Sequence, residues 1–191
     1  ITGDLEIVQQ GLSGTMTIYK KEPDKRRADI EIMGMMITQA YDGQMAWFKN
    51  PQTGSSEEVT GDQADILKRQ ALPSAAALDP EKYGIKWAYK GKETVDDKDC
   101  FVLEQALSDG FTITHYVDSK TYLTYKSKSM ITNQMGVEVE MEQIYSDFKK
   151  VGGVVMAHSV TSYQDGEEYT TISFSDVKFN TGLEDSLFEM E

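Results

Sequence analysis

A tight hairpin centred on Asp42-Gly43 limits the architecture of this chain more than any other stretch. Asp and Gly tolerate the positive φ that tight hairpin turns need, so the dipeptide predicts a turn. One apolar strand is predicted before it, at 35–41, and another after it, at 45–48. Pro51 cannot donate a hydrogen bond to a ladder and ends the second strand. Two apolar strands joined this closely must bury at least one face, so further elements must cover them.

The rest of the sequence supplies mainly strands of the same kind. Apolar and polar residues alternate with a period of two, as in 137–142, and the strands are separated by turn signals such as Asp165-Gly166. About ten or eleven antiparallel strands are predicted, without the alternation of strands and helices that a parallel α/β fold requires. So many sequential strands usually form a closed or nearly closed barrel or a strongly curled sheet. No linker or shift in composition divides the chain, so residues 1–191 are predicted to form one domain.

One helical insertion interrupts the strands. Thr60 or Asp62 is a suitable N-cap, small and apolar residues follow at helical spacing, and Pro73 ends the helix. We predict a helical flap at residues 61–83 that covers the sheet lightly. Its apolar lid residues are Ile66, Leu67 and Leu72.

Composition excludes several classes of protein. The chain has 32 acidic and 19 basic residues and a net charge of −13, which argues against nucleic-acid binding and against loose adhesion to anionic lipid surfaces. It lacks an apolar run near the roughly 20 residues that a membrane-spanning helix needs. Cys100 is the only cysteine, so no intrachain disulfide can form.

The sequence offers little for catalysis. His115 and His158 fall on apolar faces of separate strands, without Cys or carboxylate partners at the spacing of a metal site. Phosphate-binding loops, the G-x-S-x-G elbow and the H-E-x-x-H motif are absent. We therefore predict no enzyme activity, no metal and no cofactor.

The inner face of a curled sheet must be filled by side chains, by a helix or by a ligand. Two interpretations stay open on the residues alone: a dry core under the helices, or an apolar cavity for which the helices are the lid. The candidate cavity residues are Met16, Ile18, Ile30, Ile32, Ile37, Trp47, Trp87, Tyr89, Phe101, Leu103, Ile113, Met141 and Met156.

The hairpin also carries a resemblance to a known family. Tyr41-Asp42-Gly43 followed by Trp47-Phe48-Lys49-Asn50-Pro51 closely resembles the D-G-x-x-x-W-x-x-x-P hairpin of the LolA-type outer-membrane lipoprotein carriers. Other segments are similar to the wider superfamily of outer-membrane lipoprotein-sorting proteins, in order along nearly the whole chain. They are Gly14-Thr15-Met16, Pro23 with Arg26-Arg27, residues 116–123, 145–148 and 152–154, and Phe179-Asn180 leading to Leu187-Phe188.

This resemblance implies a mainly β fold, an incomplete antiparallel barrel with an α-helical lid. It also implies a periplasmic carrier that takes up acyl chains of lipids or lipoproteins for transport towards the outer membrane. Partners among inner- or outer-membrane transport proteins and a monomeric state are expected. The alternatives are a sensor or regulatory module of the same fold that recognises a protein partner and, last, an enzyme that uses His115 or His158 on a lipid.

Two departures from the family pattern stand out. A basic residue precedes the Pro of the first turn in the best-studied carriers and tethers the lid, whereas Glu22 precedes Pro23 here. The family usually begins with an amphipathic helix, whereas this chain opens at Ile1 close to its first strand. We expect a signal peptide or anchor to be absent from the chain.

Overall fold

The computed structural model describes residues 1–133 and 136–191. Strands dominate it, and the described residues contain one α-helix and four short 3-10 turns. The strands are β1 Thr2–Ile7, β2 Leu12–Lys21, β3 Lys25–Ile32, β4 Met35–Tyr41, β5 Ala46–Lys49, β6 Ser56–Val59, β7 Lys86–Val95, β8 Lys98–Ala106, β9 Thr112–Asp118, β10 Thr124–Thr132, β11 Glu138–Val151, β12 Val154–Gln164 and β13 Glu167–Asp176. The helix is α1 Asp62–Gln70, and the 3-10 turns are Val8–Gln10, Ser74–Ala77, Glu81–Tyr83 and Asp185–Leu187.

The strands follow one another in the hydrogen-bonded order β6-β5-β4-β3-β2-β1-β13-β12-β11-β10-β9-β8-β7. The sheet is antiparallel and open, with β6 and β7 at its two ends. This confirms the predicted mainly β, antiparallel class with a helical segment between two runs of strands. The sheet has thirteen strands rather than ten or eleven. One of the additional strands is β6, in which Glu57 and Glu58 leave the sequence without the apolar alternation that would predict a strand.

The chain forms two compact units. The first comprises Ile1–Ser74, Lys150–Val154 and Ile172–Glu191, and the second comprises Ala75–Lys149 and Val155–Thr171. The single domain predicted from the sequence remains a prediction.

In the first unit, the register of β2, β3 and β4 sorts the side chains onto two faces. Met16 is paired with Ile30, and Ile30 with Ile37, so these three residues form a row across the strands. Residues of the same parity lie on the same face, because successive side chains of a strand point to opposite sides. We name this side the lid face. It carries Met16, Ile18, Ala28, Ile30, Ile32, Ile37, Tyr41 and Ala46.

Helix α1 packs on the lid face at the β4–β5 hairpin. Tyr41, Ala46, Leu67 and Ala71 form one buried cluster, and Val59 and Ala64 pack against it. The helix begins after Gly61, which has a φ of 64°. Lys68 and Arg69 lie in its last turn, where positive charge is favourable beside the exposed carbonyl groups.

The opposite side of the same strands is the tail face, which the C-terminal residues 183–191 cover. Trp47 and Phe188 are both fully buried, and the Trp47 indole Nε1–H donates to the Phe188 carbonyl oxygen at 2.7 Å. Arg27 lies over the Trp47 ring, with its guanidinium carbon 5.8 Å from the ring centroid, and pairs with Asp29 at 2.9 Å. The tail face is therefore a buried contact between the strands and the C-terminal residues, in which the Trp47 indole and the Arg27 guanidinium both have polar partners.

In the second unit, the β7–β8–β9 register again separates two faces. One face, which we name the aromatic face, has Tyr89 paired with Leu103 and Leu103 with His115. The opposite face carries the buried cluster of Cys100, Val102 and Tyr116. Beyond this cluster, two lysines of β10 and two acids of β11 form ion pairs: Lys126 with Glu142, and Lys128 with Glu140 and Glu142.

Candidate functional site

The lid face of the first unit is the candidate site. Of the thirteen residues predicted to line a cavity, it gathers Met16, Ile18, Ile30, Ile32 and Ile37. Met16 and Ile32 are buried at 7% and 9% exposure, whereas the other three are half-buried. The structure thus holds a contiguous apolar surface of which part is still accessible beside α1.

Trp47 does not lie with these residues, although the sequence grouped it with them. It is paired with Ala40, so it lies on the tail face, where Phe188 covers it. The segment 45–48 is apolar at every position, and alternation cannot choose a face for a strand that is apolar on both. The sequence contained no signal that could have corrected the assignment.

The second unit brings together a further set of predicted residues. Trp87, Tyr89, Phe101, Leu103, Ile113 and Met141 all lie on the aromatic face. Ring contacts connect several of them: Phe101 lies 6.5 Å from Tyr89 and 6.2 Å from Tyr122, between ring centroids. Trp87 and Tyr89 are 43% and 61% exposed, so this face is an accessible aromatic surface. Met156 lies half-buried on β12, two residues before the buried His158.

The lid residues predicted from the sequence lie on α1 and directly after it. Leu67 is buried against Tyr41 and Ala46, whereas Ile66 and Leu72 are half-buried. Two small residues complete the contact, since Ala71 is fully buried and Ala64 packs beside it. The helix therefore rests on the sheet through one large side chain and two small ones.

Two polar contacts tie the segment after α1 to the sheet. The Lys20 ammonium donates to the Leu72 carbonyl oxygen at 2.5 Å, and the Glu22 carboxylate accepts from the Ser74 backbone N–H at 3.0 Å. The family resemblance assigns such a tether to a basic residue directly before the proline. In this chain the residue before Pro23 tethers as an acceptor, and the basic donor lies two positions earlier. Sequence analysis did not identify Lys20 for this role.

A pocket of about 250 Å³ opens between α1 and strands β4 to β6. It is lined by Tyr41, Gln44, Met45, Ala46, Glu58, Val59, Thr60, Ala64, Asp65 and Lys68. Apolar groups from the strands and charged groups from the helix share its wall, so it is a mixed surface beside the lid face.

Burial shifts the pKa values of two ionisable side chains in the second unit, His115 and Cys100. Burial lowers the pKa of His115 to about 4, and its Nε2 lies 2.9 Å from the Gln105 amide oxygen, which suits a neutral imidazole. Burial likewise raises the pKa of the Cys100 thiol, which keeps it protonated and unreactive. Across residues 1–133 and 136–191, no group of three or more His, Cys, Asp or Glu side chains could hold a metal ion.

The helix in the described part of the chain is too short and too polar to cross a bilayer. Neither a protein-family model nor a curated protein sequence matches the chain. Solved structures, in contrast, match almost its whole length.

Three of these structures have TM-scores of 0.63 to 0.65 and each cover 98% of the chain. One, from Vibrio parahaemolyticus, was described as an outer membrane lipoprotein-sorting protein domain; it is 16% identical, and 87% of it is covered. A DUF1329 family protein from Desulfovibrio piger is 16% identical, with 87% covered. A LolA superfamily protein from Nitrosomonas europaea is 13% identical, with 89% covered. At these identities the likeness concerns the fold, and at that level it confirms the resemblance seen in the hairpin.

Proposed function

Because the chain has the LolA-like fold, a fold of the lipoprotein-sorting type, we propose that it is a non-enzymatic periplasmic carrier. Its cargo would be the acyl chain of a lipid or lipoprotein, bound on the lid face. The observation that carries the proposal is the row of Met16, Ile30 and Ile37 beside a helix held by few contacts. Met16 is buried, whereas Ile30 and Ile37 are half-buried and leave part of this apolar surface accessible.

The energetics suit such cargo. Each methylene that leaves water contributes about 0.8 kcal/mol, so ten buried methylenes contribute about 8 kcal/mol before the costs of ordering the chain and moving the lid. Acyl binding needs apolar area and a route of entry, not a nucleophile or a metal. The neutral His115 and protonated Cys100 are compatible with a protein that does no chemistry on its ligand.

The experiment is displacement of a fluorescent fatty-acyl probe from the purified chain, with native mass spectrometry and organic extraction of bound material. Ile37→Asn places an amide on the lid face and should weaken probe binding about tenfold, by removing apolar contact and wetting the surface. Met36→Asn is the matched control. Met36 is the neighbouring residue, 49% exposed on the tail-face side of β4, and its substitution should leave probe affinity unchanged.

Equal effects of the two substitutions, or no probe binding at micromolar concentration, would exclude the lid face as an acyl site.

A second candidate function rests on the aromatic face. Trp87 and Tyr89 are exposed large side chains on an end strand, and aromatic residues are enriched at protein interfaces. This favours a sensor or regulatory module that recognises a protein partner. Such a module would form a stable complex that Trp87→Ala weakens, without exchange of an acyl ligand.

A further inference from the structure

Arg26 is a cation on the apolar lid face for which the described chain provides no partner. It belongs to the same face of β3 as Ala28 and Ile30, and it lies opposite Lys20 on β2 and Tyr41 on β4. Within residues 1–133 and 136–191, its guanidinium donates no hydrogen bond and has no carboxylate at ion-pair distance, although arginine carries five donors.

The absence of a partner is unusual in this molecule. The chain has 32 acidic residues for 19 basic ones, and the basic residues near Arg26 are engaged. Lys21 and Lys25 pair with Asp185, and Arg27 pairs with Asp29. Although acidic residues outnumber basic ones, no described carboxylate lies within ion-pair distance of Arg26.

The position of Arg26 is also costly for the empty protein. Lys20 is its cross-strand neighbour, and like charges directly opposite one another on a sheet are destabilising. Burial lowers the pKa of Arg26 to about 10. Burial also lowers the pKa of Lys20; the Glu22 carboxylate opposes this shift, and the charge of Arg26 adds to it. The nearby Glu22 carboxylate accepts from the Ser74 N–H through one of its oxygens. Within the described residues it forms no ion pair with Arg26. An anion at this point would remove these costs.

We propose that Arg26, assisted by Lys20, binds the anionic head group, a phosphate or carboxylate, of an amphiphile whose acyl chain lies on the lid face. The inference rests on the proposed function and names its class of ligand. The guanidinium fork matches both kinds of oxyanion bidentately. Ile18 and Ala28, two positions from Lys20 and Arg26 on their strands, would receive the first methylenes beyond the head group.

Head-group binding also acts on the lid. The Lys20 ammonium holds the Leu72 carbonyl oxygen in the empty protein, and an anion at Arg26 competes for that ammonium as a stronger acceptor. The anion therefore stabilises the state in which Leu72 is released. A ligand shifts an equilibrium by its difference in affinity for the two states, and this contact supplies the difference.

The test is isothermal titration calorimetry of the full chain with three probes: lysophosphatidylglycerol, a monoacylglycerol with the same acyl chain, and inorganic phosphate. The wild type should bind the anionic amphiphile about tenfold more tightly than the uncharged one, since charge-assisted hydrogen bonds contribute at least that much. Arg26→Gln should abolish this preference and leave the affinity for the monoacylglycerol within about twofold. Lys178→Gln, the loss of one positive charge at a side chain 72% exposed, is the matched control and should change neither affinity.

The outcomes separate the two proposals. Equal binding of both amphiphiles, unaltered by Arg26→Gln, overturns the head-group site and leaves acyl carriage standing. No binding of either amphiphile overturns both. If inorganic phosphate binds as tightly as the lysophospholipid, and with the same dependence on Arg26, the site binds a free anion. That result would overturn the proposal that its ligand is an amphiphile.

Folding of the variant is checked independently. Because an unpaired charge is removed, Arg26→Gln should raise the melting temperature of the empty protein by a few degrees. Arg26→Lys keeps the charge but loses the fork, and it should give an intermediate preference for the anionic amphiphile. If Arg26→Gln does not fold, an unchanged preference in Arg26→Lys would count against the site.

Discussion

At the scale of single residues, Trp47 is a structural anchor. Its Nε1–H donates to the Phe188 carbonyl oxygen at 2.7 Å, and both residues are fully buried. Trp47→Phe leaves that carbonyl without a donor and should lower the free energy of unfolding by about 1–3 kcal/mol. Urea denaturation measures the loss. Trp87→Phe, at a site 43% exposed, should cost less than about 0.5 kcal/mol.

The same variant tests the placement of Trp47 on the tail face. Affinity for the acyl probe should be unchanged in Trp47→Phe, since the ring does not face the proposed ligand. If Trp47→Phe lowers the affinity for the probe without changing stability, Trp47 lines the acyl site, as the sequence predicts, and its placement on the tail face is wrong.

His115 makes stability depend on pH. Its pKa in the folded protein is about 4, below the 6.5 of a free imidazole. As pH falls below 6.5 the unfolded chain gains a proton that the folded chain does not accept until near pH 4. Stability is therefore fully present above pH 6.5 and declines towards pH 4.

His115→Gln should remove this slope, because glutamine does not titrate. Between pH 7 and pH 5 the wild type should lose about 1–2 kcal/mol more than the variant in urea denaturation. If the wild type and His115→Gln lose the same stability between pH 7 and pH 5, the His115 imidazole has the same pKa in the folded and the unfolded chain. An NMR titration of the ring gives its pKa directly.

At the scale of the element, α1 is held by Leu67, by small residues and by the two polar contacts of the segment that follows it. Lys20→Met keeps the length of the side chain but removes the donor to the Leu72 carbonyl oxygen. The lid should then open more often, because one charge-assisted hydrogen bond is lost. Amide hydrogen exchange in the last turn of α1, at Gln70 and Ala71, should accelerate about five- to tenfold.

Lys178→Met is the control for this change, since its side chain is exposed and pairs locally with Asp176. Exchange in α1 should be unaltered in it. If Lys20→Met also leaves exchange unaltered, the contact to Leu72 does not restrain the lid, and the helix is held by the Leu67 cluster and the contact between Glu22 and Ser74.

At the scale of the whole molecule, periodicity predicts much of the fold and less of the site. Alternation placed Met16, Ile30 and Ile37 on one face, because one-sided burial imposes a period of two. It failed for Trp47, whose strand is buried on both sides. The pairing of strands that are far apart in the sequence cannot be predicted from local alternation. In the sheet β1 lies next to β13, and the Thr2 hydroxyl lies 3.4 Å from the Ser175 hydroxyl.

Arg26 shows why the candidate site was only partly predictable. Charged residues beside a turn usually face water, so the run Lys25-Arg26-Arg27 reads as solvated surface. The three side chains in fact alternate between faces, so that Arg26 lies on the apolar side, and the register shows that its cross-strand neighbours are Lys20 and Tyr41. Chemistry that depends on a cross-strand neighbour requires the pairing to be known.

The two ends of the open sheet bear on aggregation. An unpaired strand edge is a template for another chain, and proteins protect such edges with short strands, charges and bulges. β6 has four residues, with Glu57 and Glu58 at its centre. β7 carries three lysines and a bulge between Tyr89 and Gly91. If two copies joined through β6, acidic side chains would lie against acidic ones, and if they joined through β7, lysines would lie against lysines. We therefore expect this protein to resist fibre growth at high concentration, although its aromatic face is exposed.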